Sequence, residues 1–462
     1  MKQSAILTTL ALGTGFFWGC GSPETQPGAL AADSAPTGQR AALGMKKSAL
    51  PAWETAQEKE LSALLPQQRA TRATPPPVGL IQVPAEYSRM DGVLVRIPVG
   101  ASDDDLNQQQ LAPFYSRMVK GFINSGVLPY VLVADAEEEQ ILVDDVLSPN
   151  GISSGDVQFL RAPNNSLWAR DYGPWHVYVD GGRAIVDQRY YSSRTSDDRI
   201  PLVLGKAWAE TVYSTALYTE GGNFMTDGLG TCWASQGVLR NNSLSRVKIE
   251  AIYRDYLGCA GIHFVPPLVG EGTTHIDMFS KILNQDTILV GYSSEALGAT
   301  DREIESLERA AAFYGDTPKP GGGQWNILRI PMTFHSLTYD DGSEERVYNA
   351  HTNSLIVNDH VLVPTYARGT DSAALALYRK AMPGYTVVGV DSREIIPFGG
   401  SVHCATMQIP AHDQAACGDG VVSGSEECEP RYLEGQTCQT RGYASGTLRC
   451  QASCRFDTSS CR

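Results

Sequence analysis

Residues 106–133 read LNQQQLAPFYSRMVKGFINSGVLPYVLV. The first part, 106–124, carries apolar residues at i, i+3 and i+4, the spacing of one helix face. The run that follows, Leu128-Pro129-Tyr130-Val131-Leu132-Val133, has the length and composition of a buried strand. The same helix-then-strand order recurs along the chain. Residues 244–257 precede Ile262-His263-Phe264-Val265, residues 301–314 precede Trp325-Asn326-Ile327-Leu328-Arg329-Ile330, and residues 371–381 precede Tyr385-Thr386-Val387-Val388-Gly389-Val390. Two further pairs place residues 136–147 before Val157 and residues 200–213 before Tyr218. Recurrent units of this kind, with no Gly-rich phosphate loop, predict an α/β repeat and not a dinucleotide fold.

Three segments of this repeat carry chemistry. Gly399-Gly400-Ser401-Val402-His403-Cys404-Ala405-Thr406 presents one cysteine at a glycine-flanked strand entrance, Trp168-Ala169-Arg170-Asp171-Tyr172-Gly173-Pro174-Trp175 supplies a carboxylate, and Gly272-Thr273-Thr274-His275-Ile276-Asp277-Met278-Phe279 supplies an imidazole and a second carboxylate. A thiol, an imidazole and two carboxylates suit attack on a cationic carbon. The carboxylates hold a guanidinium through paired charge-assisted hydrogen bonds, the thiolate attacks, and the histidine moves protons.

With these motifs the chain resembles the bacterial peptidyl-arginine deiminases and agmatine deiminases of the pentein, or guanidino-group-modifying, superfamily. The resemblance begins at Pro84-Ala85-Glu86-Tyr87-Ser88-Arg89-Met90-Asp91-Gly92-Val93, continues through Arg170-Asp171-Tyr172-Gly173-Pro174, Glu220-Gly221-Gly222-Asn223, His275-Ile276-Asp277, Asn353 and His403-Cys404, and ends near Pro410. It implies a pentein-type α/β propeller of about five pseudo-repeats with the site at its central mouth. It assigns Cys404 as nucleophile, His275 as general acid/base, and Asp171 and Asp277 to guanidinium binding. Trp168 is similar to the family's pocket-wall aromatic, and Asn353 aligns with an asparagine close to the nucleophile. Glu220-Gly221-Gly222-Asn223 is read as shaping a loop near the mouth, and His403, by strand alternation, as facing away from Cys404 in a packing role. No metal or organic cofactor is implied.

Substrate choice turns on the segment after the first carboxylate. The family's peptidyl-arginine enzymes place two arginines there to clamp an α-carboxylate. In this chain Arg194 matches the second position and Ser192 replaces the first. The expected substrate is therefore an arginine-containing peptide, with agmatine, a small guanidino compound without a carboxylate, as the alternative. A non-catalytic surface binding protein is the reading from a different class.

Composition bounds the rest. A chain of 462 residues, 42% hydrophobic and 19% charged, buries a large core and leaves room for appendages. A formal net charge of -14 argues against nucleic acid as a partner and is compatible with a cationic one. The runs Asp103-Asp104-Asp105 and Glu137-Glu138-Glu139 are expected at helix starts. Lys2, the apolar stretch from Ala5 to Trp18, and Gly19-Cys20 read as an export signal with a candidate lipidation site at Cys20, so residues 1–20 are expected to be a signal peptide. The expected location is the cell envelope or exterior, with membrane contact only through that lipid. Residues 21–79 are expected to be a flexible linker, although 53–65 has the pattern of a short amphipathic helix. Residues 80–412 are the expected catalytic domain. Six of the 10 cysteines, Cys417, Cys428, Cys438, Cys450, Cys454 and Cys461, fall in residues 417–462, and in an exported chain they predict a small module with three disulfides. Removing Cys20 leaves an odd number, and Cys404 is the expected free thiol; Cys232 and Cys259 are left as a bridge or as buried thiols. The sequence does not define the oligomeric state.

Overall fold

The computed structural model describes residues 50–64, 73–98, 108–319, 322–338, 342, 344–412 and most of 422–462. The export signal, Cys20, the acidic run 103–105 and Cys417 lie outside the described residues.

Five small sheets of three or four strands make up the body, and each contains the same motif: an antiparallel pair followed by a parallel partner. A parallel pair needs a crossover, and a helix supplies it in every case. The helix Gln108–Asn124 joins Met90–Arg96 to Leu128–Val133, and Ile200–Trp208 joins Gly182–Arg189 to Val212–Tyr218. Gln236–Asn241 and Arg246–Leu257 together join Thr231–Ser235 to Gly261–Val265. Asp301–Asp316 joins Thr287–Tyr292 to Asn326–Thr338, and Asp371–Ala381 joins His360–Thr365 to Thr386–Asp391. The central strands lie between layers, so Val93, Leu94 and Val95, Ile288, Leu289 and Val290, and Val361, Leu362 and Val363 are all fully buried.

Local chemistry sets the helix ends. Thr300 and Glu303 form a reciprocal capping box on Asp301–Asp316. Ser245 caps Arg246–Leu257, and Gly258 ends it in the left-handed conformation. Asp135 caps Ala136–Leu142, and Glu137, Glu138 and Glu139 occupy the first turn, where the helix dipole favours them. That helix stops short of the expected 147 because Val143–Leu147 widens into a looser turn. The strand expected to end at Ile330 runs to Thr338, since its second half pairs with Glu344–Ala350 as a long hairpin.

Two connections position the site. Strand Thr406–Pro410, from the end of the catalytic stretch, pairs antiparallel with Met90–Arg96 at its beginning. Cys404 is thereby delivered against the first unit. Fully buried Lys281 bonds both oxygens of Glu86 at 2.9 and 2.7 Å, and Glu86 also accepts the Ile356 N–H at 2.8 Å. This buried pair ties three segments together beneath the site.

The linker expectation for residues 21–79 needs correction in its second half. Residues 50–64 pack on the body, with Ala52 fully buried and a helix at Ala56–Leu64. Thr74 exchanges hydrogen bonds with Ser214. The helix agrees with the amphipathic pattern over 53–65, and polar anchors hold the segment on the body.

Cys232 and Cys259 form a disulfide that ties strand Thr231–Ser235 to the turn leading into Gly261–Val265. In the C-terminal module Cys428 pairs with Cys450 and Cys438 with Cys461, and Cys454 is also disulfide-bonded. Among the described residues Cys404 is the free cysteine.

Candidate active site

The nucleophile loop is held by the side chains of Asn353 and Arg170. The Asn353 carbonyl oxygen accepts the N–H groups of Ser401 (3.1 Å) and Cys404 (3.3 Å), and its amide nitrogen donates to Cys404 Sγ at 3.0 Å. The loop is a turn, and the strand begins only at Thr406. Arg170 clamps it from the other side: its backbone N–H donates to the Cys404 carbonyl at 3.1 Å, and its buried guanidinium bonds the His403 carbonyl and Gln408. The short helix Ala169–Tyr172 thus brings Asp171 to the same place.

His275 and Asp277 arrive on a 3-10 turn, Ile276–Met278. The residue before, Thr274, has φ 61°, a strained value for a β-branched side chain, and it aims His275 inward. Gly222 permits the close approach, because a Cβ there would lie 2.4 Å from His275 Nδ1. His275 Nδ1 is 3.7 Å from Asp171 and Nε2 is 3.8 Å from Glu220. One donor atom each from His275, Asp277 and Cys404 lie within 4.8 Å of one another. Gly400 is wedged between Trp168 and Cys404, so Trp168 walls the site, with its indole N–H donating to the Leu50 carbonyl at 2.8 Å.

Cys404, His275, Asp171 and Asp277 are all fully buried. Among the described residues, Asp171 Oδ2, Asp277 Oδ1 and both ring nitrogens of His275 have no hydrogen-bond partner. Unpaired carboxylate oxygens in a buried site form a receptor for a donor-rich cation. Burial, reinforced by Asp277 and Glu220 and opposed by His275, pushes Asp171 up to about 7. Burial opposes a charge on His275, but Asp171, Cys404, Glu220 and Asp277 outweigh it and hold the imidazolium well above its ordinary range. Burial and the charge of Asp277 push the Cys404 thiol up to about 12. Asp277 goes the other way: burial would raise it, and His403 holds it below the usual carboxylate range.

The structure brings Cys404, His275, Asp171, Asp277, Trp168 and Asn353 together. It also gives contacts at the site to residues that the sequence reading assigned other roles. His403 does not face away into packing: its Nδ1 lies 2.6 Å from Asp277 and its Nε2 lies 3.1 Å from Glu86. Alternation did not apply, because residues 401–405 are a turn. Glu220 is a carboxylate beside His275, and Gly222 N–H donates to Asp171 at 3.4 Å. Arg194 is committed to a carboxylate of this same chain: Glu58 bonds its Nε at 2.8 Å and its Nη2 at 3.1 Å.

A buried thiol beside an imidazole, with two carboxylates that each keep one unpartnered oxygen among the described residues, is the donor set of a cysteine hydrolase for cationic amidines. The chain belongs to the Porphyromonas-type peptidyl-arginine deiminase family, whose sequence profile matches residues 82–410. It is an enzyme of guanidino-group deimination, acting on amidine C–N bonds. A Vibrio parahaemolyticus protein provisionally named agmatine deiminase is 26% identical over 289 residues, covering 55% of this chain and 79% of the relative. The fold matches that of the agmatine deiminase of Enterococcus faecalis, with a TM-score of 0.64 at 21% identity, covering 72% of this chain and 96% of that one. It also matches a crystal structure provisionally described as a peptidyl-arginine deiminase, with a TM-score of 0.63 at 20% identity, covering 72% of this chain and all of that one.

Proposed function

We propose that this enzyme converts peptidyl-arginine to peptidyl-citrulline and ammonia through a covalent intermediate on Cys404. The observation that carries the chemistry is the pair of unpartnered, buried oxygens on Asp171 and Asp277 facing His275 and the free thiol. A guanidinium keeps its charge at any ordinary pH, so it satisfies these oxygens and offers an electrophilic carbon.

In the reading proposed, His275 enters as the imidazolium, and the incoming cation offsets the carboxylates that hold the Cys404 proton in place, so that proton is lost to solvent as the substrate binds. The thiolate attacks the central carbon, forming the C–S bond as the C=N electron pair moves to nitrogen. His275 gives its own proton to the departing nitrogen, ammonia leaves, an S-alkylthiouronium stays on Cys404, and the imidazole is left neutral. Water, deprotonated by His275, then adds to the carbon, the C–S bond breaks, and a ureido product and the thiol result. Asn353 steadies sulfur through its N–H, and His403 fixes Asp277 as a positioning residue. The five sheets fit units closed around a common axis with this site at the mouth.

Agmatine is the second reading. The Arg194–Glu58 pair favours it, since Arg194 takes a substrate carboxylate only by giving up Glu58, and the provisional name of the Vibrio relative agrees. Kinetics on agmatine, free arginine, a peptide ending in arginine and one with arginine inside decide between them. Peptidyl-arginine specificity predicts roughly ten- to a hundredfold higher kcat/KM for the C-terminal arginine than for the internal one. It also predicts that Arg194→Ala removes that difference and spares agmatine. Agmatine as best substrate, with no response to Arg194→Ala, establishes the second reading.

We also place the enzyme outside the cytoplasm, with residues 1–20 as its export signal and residues 417–462 as an accessory module; the disulfides support an oxidising compartment. Fractionation of cells expressing the native chain and Cys20→Ser tests this. Membrane-bound native protein and a released variant are expected if Cys20 is lipidated, and cytoplasmic protein in both contradicts the placement.

A further inference from the structure

The segment 50–64 lies across the loops that carry the catalytic groups. Its Leu50 carbonyl takes the indole N–H of Trp168 at 2.8 Å, and its Ala52 N–H donates to the Phe398 carbonyl at 2.9 Å. The Ala52 carbonyl accepts from the Tyr191 hydroxyl at 3.2 Å. The Trp53 ring packs on Gly272 and Gly399, which begin the loops bearing His275 and Cys404, and the Trp53 carbonyl accepts from Arg194 Nη2 at 2.9 Å. Glu54 accepts from Ser193 Oγ at 3.0 Å and from Ser62 Oγ at 2.6 Å. Glu58 then closes the bidentate pair with Arg194, itself only 1% exposed.

Three features set this segment apart from an ordinary docked terminus. It touches the loops of all four catalytic residues, none of which is exposed while it is in place. Beside it is a cavity of about 350 Å³ lined by Trp53, Glu271, Gly272, Met278 and Gly399, and Met278 sulfur is also 4.0 Å from Cys404 Sγ. Met278 thus stands between this cavity and the thiol, and Trp53 forms part of the cavity wall. Its fastening is also largely polar: apart from Ala52 and Trp53 it is held by hydrogen bonds and one ion pair, and Leu61 is 48% exposed. A substrate carboxylate is able to replace Glu58 on Arg194 with the same paired bonds.

We propose that residues 50–64 are a displaceable strap that covers the active site, in which Glu58 holds on Arg194 the place a substrate carboxylate takes. The role given to Arg194 rests on the peptidyl-arginine reading, and the covering role does not. A peptide ending in arginine displaces the strap by exchanging one carboxylate for another. Agmatine gains nothing from that exchange.

The test uses the full chain carrying Ser62→Cys and Ser193→Cys, whose native hydroxyls share one Glu54 oxygen, and separately Glu58→Gln. Oxidation to lock the strap is expected to lower turnover of every substrate by at least about tenfold, with mild reductant restoring it and leaving the native chain's rate unchanged. Full turnover by the oxidised, locked protein shows the strap to be a fixed pocket wall and overturns the proposal. Glu58→Gln is expected to raise kcat/KM for the C-terminal arginine peptide by about three- to tenfold, more than for agmatine. A fall with both substrates makes Glu58 part of the site and overturns the proposal. A reversible lock together with an equal rise for peptide and agmatine supports the strap and overturns the carboxylate role of Arg194, so the two ideas fail separately.

Discussion

Cys404→Ala is expected to reduce ammonia release by at least about 10⁴-fold while leaving the fold intact. The thiol is the nucleophile, and no other described sulfur stands in for it, because Cys232, Cys259 and the described tail cysteines are in disulfides. The side chain is small, so its removal leaves little cavity. The larger local effect is on Asn353, whose amide loses its sulfur acceptor but whose carbonyl still holds the loop through the Ser401 and Cys404 N–H groups. Substrate binding is therefore expected to persist. A dissociation constant near the native KM, measured by calorimetry alongside the ammonia assay, checks both halves; comparable ammonia release by native and variant protein contradicts the nucleophile assignment.

The second large effect is at His275, where Gln is expected to lower kcat by about 10²- to 10⁴-fold. Asp171, Glu220 and the other anionic neighbours raise the pKa of this imidazole, so it keeps its proton at neutral pH and loses it as pH climbs through that raised value. It therefore sets the alkaline limb of kcat/KM. The acid limb belongs to Asp171, raised to about 7 in the free enzyme. Guanidinium binds its ionised form, so activity falls as pH drops below that value. The native enzyme gives a bell, and His275→Gln loses the alkaline limb and keeps the acid one. Retention of the alkaline limb in the variant would assign proton transfer to another group.

Much of the catalytic constellation was legible in the sequence because each member sits in a short string with its own signature. Gly-Gly-Ser-x-His-Cys, Arg-Asp-Tyr-Gly-Pro and His-Ile-Asp are ordered along the chain, and the strand and helix periods between them gave the repeat. What could not be read is how the loops meet. His403 was placed by strand alternation, and its turn conformation set that rule aside; only the pairing of Ser401 and Cys404 with Asn353 fixes it. Glu86 and Lys281, 195 residues apart, show no local pattern, yet they form a buried ion pair under Asp277's partner. The strap was the largest departure. Glu54, Glu58 and Ser62 have the composition of a solvated helix face, and their role comes from Arg194 and Ser193, more than 130 residues further on. Sequence pattern reports burial and local period; it does not report which distant cation a surface glutamate meets.

The central claim, covalent deimination at Cys404, is tested most directly by mixing the enzyme with an arginine-containing substrate, quenching in acid during steady-state turnover, and mapping mass changes by peptide mass spectrometry. The account predicts a substrate adduct, less one ammonia, on the peptide bearing Cys404, with none in Cys404→Ala. Ammonia release with no adduct at Cys404, or an adduct carried by another residue, would contradict it.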